Sequence, residues 1–113
     1  MDCEQINMLY EINEKDWKLF RNKVSDWQEA FMERLCGEYR GILDKAENAS
    51  DRFWELLERI KRDRNYAGVQ CELRRSTMRS TIIQLLQEGV ITLDDLMDFS
   101  PELQESVGWT INN

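Results

Sequence analysis

The feature that most constrains this chain is a stripe of apolar side chains that recurs every three or four residues. The stripe consists of Trp17, Phe20, Val24, Trp27, Phe31, Leu35, Tyr39 and Ile42. This spacing is the period of an α-helix with one buried face, held for about seven turns. It therefore predicts one long, aromatic-rich helix over residues 14–45, around which the rest of the protein packs.

The remaining sequence also favours helices. Five glycines and one proline among 113 residues leave too few turns for an all-β fold. A second helix is predicted to begin at an N-cap Ser50 and to bury Phe53, Trp54, Leu57 and Ile60. A third is predicted over residues 69–88, with a kink or break at residues 74–76 and with Leu73, Met78, Ile82, Leu85 and Leu86 inward.

Both ends of the chain are predicted to carry short helices. Gly89 suits a left-handed C-cap, Thr92 to Asp95 form a capping pattern, and Ser100-Pro101 suits the start of a last helix ending near Val107. Residues 5–12 fit a short helix or a loose arm. The predicted fold class is all-α: one domain over residues 1–113, a small bundle of one long helix, two further helices and two short C-terminal helices.

Composition argues against several classes of site. The chain has no histidine and no Cys-x-x-Cys pair, so a structural zinc site of the usual kind is not expected. The odd set Cys3, Cys36 and Cys71 suits reduced thiols and a cytoplasmic location, with Cys36 packing as a small hydrophobe. No stretch of about 18 apolar residues predicts a membrane span, and the first residues do not resemble a signal peptide.

Catalytic motifs are not recognisable. Without histidine a general base would have to be a carboxylate, Lys, Tyr or Cys, and no glycine-rich phosphate loop occurs. The acid pairs have plainer roles, Asp94/Asp95 in a helix cap and Glu55/Glu58 on a solvated helix face. Asp94, Asp95 and Asp98 lack the spacing of a calcium loop. The chain is predicted not to be an enzyme, with no cofactor, no metal site and no evident small-molecule substrate.

Charge is divided into three segments. The net charge is −7, with about −6 on residues 1–58, +5 on residues 59–79 and −6 on residues 80–113. Such a distribution indicates either internal complementarity or the footprint of a partner. The basic residues of the middle segment are Arg59, Lys61, Arg62, Arg64, Arg74, Arg75 and Arg79.

Part of the basic segment is a candidate anion or partner site. It consists of Arg74, Arg75, Ser76, Thr77 and Arg79, whose guanidiniums and hydroxyls would surround the start of a helix. The alternative is that these arginines pair with acids of the long helix or the tail. The turn at Gly68 gives the second and third helices some similarity to a helix-turn-helix. The net charge does not favour nucleic acid.

A partner surface is the stronger functional signal. Beside the main stripe, Leu19, Ala30, Met32, Cys36 and Leu43 widen the apolar arc of the long helix beyond what one small bundle needs. The excess predicts a second helix layer, a homo-oligomer or a bound protein. The predicted function is a small non-enzymatic interaction or regulatory module. The alternatives are an acidic nucleic-acid mimic from a mobile element and a nucleic-acid binder that uses residues 59–79.

Three segments carry a resemblance to a family. They are Glu14-Lys15-Asp16-Trp17-Lys18-Leu19-Phe20-Arg21, Asp51-Arg52-Phe53-Trp54-Glu55-Leu56 and Gly89-Val90-Ile91-Thr92-Leu93-Asp94-Asp95-Leu96. Together they resemble short all-helical proteins of unknown function from Gram-positive gut anaerobes, over about residues 12–107. Some members carry the label of multidrug transporter, which does not suit a sequence without a membrane-span signal. The resemblance implies a small helical domain and transfers no catalytic residues.

Overall fold

The computed structural model describes residues 11–112, and within them every regular element is helical. The four α-helices are α1 (Glu14–Leu43), α2 (Ala49–Asp63), α3 (Met78–Gln87) and α4 (Pro101–Asn112), with 3₁₀ turns at Arg75–Thr77 and Leu93–Leu96. The predicted all-α bundle with one long helix is confirmed. The short helix predicted for residues 5–12 and the thiol of Cys3 lie outside the described residues, apart from positions 11 and 12.

Helix α1 follows its apolar stripe closely. The Asn13 side chain caps it by accepting a hydrogen bond from the Asp16 backbone N–H at 2.7 Å. Six of the eight stripe residues are buried, while Trp27 and Tyr39 are partly buried. At 30 residues the helix is about 45 Å long, so most of the length of the 56 × 29 × 22 Å molecule is this one element.

The main core forms around the N-terminal half of α1. Its ring stack of Trp17, Phe20 and Trp27 packs against the buried faces of α3 and α4. The buried residues of α3, of α4 and of the segment between them include Met78, Ile82, Leu85, Leu96, Phe99, Leu103 and Val107. The C-terminal half of α1 extends past this core and lies beside α2 and the segment that follows it, where Phe31 packs on Tyr66 and Gly68.

Residues 64–77 correct the predicted third helix. The helix begins at Met78 rather than near residue 69, and the predicted inward Leu73 is 51% exposed. The backbone N–H groups of Ala67 and Gly68 donate to the Glu88 carboxylate at 3.2 and 3.3 Å. A Cβ on Gly68 would overlap the Phe31 ring and lie 2.6 Å from Val90 Cγ2. This tertiary contact holds the chain in a turn, where local periodicity alone favours a helix.

Other boundaries differ by smaller amounts. Helix α2 begins at Ala49, with Asn48 rather than Ser50 at the N-cap position. Helix α4 continues to Asn112, beyond the predicted end near Val107. Gly37 and Gly41 lie inside α1, and a Cβ at either position would meet no atom within 4 Å.

The capping signals of the tail are confirmed. Thr92 and Asp95 form a reciprocal capping box around a 3₁₀ turn, and Gly89 adopts a φ of +75°, as the C-cap of α3 requires. At the start of α4 the Ser100 hydroxyl accepts from the Leu103 N–H. The buried Asp16 carboxylate accepts from the Ser100 N–H at 2.9 Å and its hydroxyl at 2.6 Å. Asp16 thereby anchors α4 to the start of α1.

Candidate protein-docking surface

The C-terminal half of α1 and helix α2 form an antiparallel hairpin whose seam is polar. The connecting loop is closed by Arg52, which donates to the backbone carbonyls of Leu43 at 2.7 Å and Glu47 at 3.2 Å. Further along, Lys45 of the loop pairs with Glu55 at 2.6 Å. These contacts join the loop and α2 to the end of α1 through charged and polar groups.

The residues of α2 that form hydrogen bonds and ion pairs with α1 are polar, and the partly buried Leu56 falls on the same face of the helix. Arg59 pairs with Glu38 of α1 at 2.5 Å, and one turn later Asp63 accepts a 2.7 Å hydrogen bond from the Tyr39 hydroxyl. The seam positions 52, 55, 59 and 63 repeat at three- and four-residue steps and so lie on one face of α2. The apolar positions 53 and 60 are each one residue removed from a seam position, about 100° around the helix.

That rotation leaves the apolar stripe of α2 uncovered. Phe53 is 60% exposed and Trp54 is 59% exposed, and their rings lie edge to face with centroids 5.0 Å apart. Ile60 is 42% exposed and Leu43, at the end of α1, is 45% exposed. The prediction that Phe53, Trp54 and Ile60 form a buried face was wrong, and Leu57 is only partly buried. The error arose because the charged seam, not the apolar stripe, contacts α1.

One of these exposed side chains, Ile60, lines a shallow apolar groove. Its volume is about 230 Å³, and its walls include Met32, Cys36 and Tyr39 of α1 and Ile60 and Arg64 from the end of α2. Cys36 is exposed, which corrects its predicted role as a packed small hydrophobe. We call the surface formed by Leu43, Phe53, Trp54, Ile60 and this groove the hairpin face.

A buried carboxylate holds the hairpin together beneath its seam. The Asp63 side chain is 1% exposed and accepts hydrogen bonds from Tyr39 and from Arg62, the latter at 3.1 Å. It also forms an ion pair with Arg59 at 3.5 Å. The Arg59 side chain is itself only 23% exposed, and its buried Nε has no hydrogen-bond partner among the described residues. This network uses its charges to join two helices, so it has a structural role in the hairpin.

The same network controls the ionisation of Tyr39. Burial, and then the hydrogen bond to the Asp63 carboxylate, raises its pKa from 10.0 to about 12. A raised pKa for an acid means that the folded state favours the neutral phenol. This contribution to stability is complete below pH 10 and is lost as the pH rises towards 12. We expect unfolding free energies measured across this alkaline range to fall more steeply for the wild type than for Tyr39→Phe; equal slopes would contradict the assignment.

The residues of the candidate anion site do not converge on one point. Arg74 is exposed and pairs with Glu72 at 2.9 Å, while Arg75 pairs with Glu14 of α1. Ser76 is exposed, and the Thr77 hydroxyl donates to the Arg74 carbonyl at 3.4 Å. The pairing of Arg75 matches the alternative in which basic residues pair with acids of the long helix.

Arg79 points away from the other two arginines, towards α4. Its Nε donates to the Ser106 hydroxyl at 2.6 Å, and its Nη2 donates to the Ser106 carbonyl at 3.2 Å and to the Thr110 hydroxyl. All three arginines thus have partners within the chain, and the anion site stays a prediction. The helix-turn-helix similarity is wrong, since residues 64–77 separate α2 from α3 where that motif needs a turn of about three or four residues.

The remaining observations concern metal binding, membrane spans and similarity to known proteins. Among the described residues no group of three or more Cys, Asp or Glu side chains is placed to hold a metal ion. None of the described helices combines the length and apolar content that crossing a bilayer requires. No protein-family model, curated protein or solved structure matches the chain. The resemblance to the family of short helical proteins therefore stays a prediction.

Proposed function

We propose that this chain is a non-enzymatic cytoplasmic interaction module that binds an amphipathic helix of a protein partner on its hairpin face. The observation that carries the proposal is the pair Phe53 and Trp54, two large aromatic side chains that are both more than half exposed and in contact with each other. Clustered aromatic residues of this kind are enriched where binding energy is concentrated in protein interfaces.

The shape of the surface supports a helical partner. Two antiparallel helices with an apolar groove between them present the receptor geometry of helix-in-groove recognition, in which a partner helix inserts apolar residues at three- and four-residue steps. The unpaired thiols of Cys36 and Cys71 are consistent with a cytoplasmic setting. Asp16, Asp63 and Arg59, the buried or partly buried charged groups, each make contacts that join two elements of the fold. These structural contacts explain their burial without a catalytic role.

The test is a comparison of proteins captured from the native host. The wild-type chain is expected to retain specific proteins that a Phe53→Ser/Trp54→Ser variant releases. A Leu93→Ser/Met97→Ser variant is the matched control, because Leu93 and Met97 are exposed apolar residues outside the hairpin face, at 48% and 71%. If the two variants retain the same proteins as the wild type, including further copies of the chain itself, the proposed function is wrong.

A further inference from the structure

The hairpin face has the features of a surface that pairs with itself. We propose that its occupant is the hairpin face of a second copy of this chain, with the two α2 helices antiparallel across a two-fold axis. The inference rests on the proposed function and names the helix that it binds. Two hairpins joined in this way form a four-helix bundle, with Phe53, Trp54 and Ile60 of each copy in its core.

The charges around α2 favour this arrangement. The start of the helix has three exposed carboxylates, Asp44, Glu47 and Asp51, none of which makes an ion pair within the described part of the chain. The two basic residues of this segment are occupied, because Lys45 pairs with Glu55 and Arg52 donates to backbone carbonyls. The end is basic: Lys61 has only a 3.7 Å contact to Glu58, and Arg64 has no ion pair among the described residues. Antiparallel pairing brings each acidic end beside a basic end, whereas parallel pairing would oppose like charges.

The available area suits a dimer of modest affinity. Taking about 200 Å² for a large apolar side chain, the exposed fractions of Leu43, Phe53, Trp54 and Ile60 amount to about 400 Å². The groove and the polar rim add to this on each copy. The total for two copies then approaches the lower limit of about 1,200 Å² for specific interfaces. We therefore expect dissociation in the micromolar range.

The groove supports the two-fold geometry further. Arg64 lies at the rim of the groove beside Ile60, so a basic group borders the apolar surface at one end. Leu43 and the loop with Asp44 and Glu47 precede the other end of α2. Each copy therefore presents acid, apolar surface and base in sequence along α2, which is self-complementary on rotation by 180°.

Analytical ultracentrifugation of the full chain tests the inference directly. Between about 1 μM and about 1 mM, the wild type is expected to shift from the mass of one chain to that of two. Phe53→Ser/Trp54→Ser should stay at the mass of one chain throughout, with an unchanged circular dichroism spectrum. Leu93→Ser/Met97→Ser, the control outside the face, should dimerise like the wild type.

Charge reversal tests the antiparallel register with variants that change only exposed groups. Lys61→Glu/Arg64→Glu should weaken dimerisation about 10-fold, and Glu47→Lys/Asp51→Lys should do the same. An equimolar mixture of the two variants should recover wild-type affinity, because each acidic end then meets a basic end. In a parallel dimer the two basic ends meet each other. Lys61→Glu/Arg64→Glu would then replace a base–base contact by an acid–acid contact, and the affinity would stay unchanged.

The outcomes separate the inference from the proposed function. A wild type that stays at the mass of one chain up to about 1 mM, while face-dependent capture of a different protein persists, overturns the second-copy inference and leaves the proposed function standing. A wild type that neither self-associates nor captures a protein through the hairpin face overturns both the second-copy inference and the proposed function. Dimerisation that survives the Phe53→Ser/Trp54→Ser change places the dimer contact elsewhere and also overturns the inference.

Discussion

Replacing Phe20 by Ala is expected to lower the free energy of unfolding by about 3–5 kcal/mol. The ring is fully buried and stacks on Trp17 with centroids 6.1 Å apart, and it also meets the edge of Trp27 at 6.3 Å. Truncation removes these contacts and leaves a cavity where α1 packs on α3 and α4. Urea denaturation followed by circular dichroism would measure the loss.

The matched control for this change is Phe53→Ala. It removes the same ring from another helix, but the ring is 60% exposed, so the expected loss at protein concentrations that keep the chain monomeric is below about 1 kcal/mol. Similar losses at the two positions would show that Phe20 is not in a packed core. A larger loss for Phe53 at high protein concentration alone would instead report the self-association proposed above.

Replacing Asp63 by Ala is expected to lower the free energy of unfolding by about 3 kcal/mol. The partly buried arginines of the hairpin would then lack the carboxylate that pairs with them. The change removes the hydrogen bond from Tyr39 and the ion pairs from Arg59 and Arg62. Glu38 would remain the only carboxylate paired with Arg59. Asp63→Asn keeps an acceptor for the Tyr39 hydroxyl and should fall between the wild type and Asp63→Ala.

Asp51→Ala is the control for this prediction, since Asp51 is an exposed carboxylate on the same helix. Its expected effect is within about 0.5 kcal/mol. Thermal melting of the three variants beside the wild type would rank them. If Asp63→Ala and Asp51→Ala have the same melting temperature, the buried network does not hold the hairpin together.

The hairpin illustrates how a helix can pack by its polar side. Opposite charges on α1, the loop and α2 meet along the seam, as in Glu38–Arg59 and Lys45–Glu55. Exposed ion pairs of this kind are individually weak, so the hairpin depends on the buried Asp63 contacts and on Phe31, Leu35 and Ile42 beneath it. A helix held in this way leaves its apolar stripe exposed.

The basic segment likewise divides according to its tertiary contacts. Arg79 and Arg59 have the most contacts, Arg79 with Ser106 and Thr110 of α4 and Arg59 with Glu38 and Asp63. Arg74 and Arg75, by contrast, have side chains that are 66% and 53% exposed. The partners of Arg79 lie about 30 residues away along the chain, and no local pattern points to them.

Local patterns by themselves determined the long helix α1, the capping of the tail and the all-α class. The reason is that apolar period, N-caps and a left-handed glycine act within a few residues of one another. Tertiary structure decided where α3 begins, because Gly68 packs on Phe31 and Glu88 binds the turn from 20 residues away. It also decided which face of α2 is buried. Periodicity identifies the apolar face of α2 but does not determine whether that face or the charged face about 100° away packs on α1. In this structure the charged face contacts α1, so Phe53 and Trp54 stay exposed.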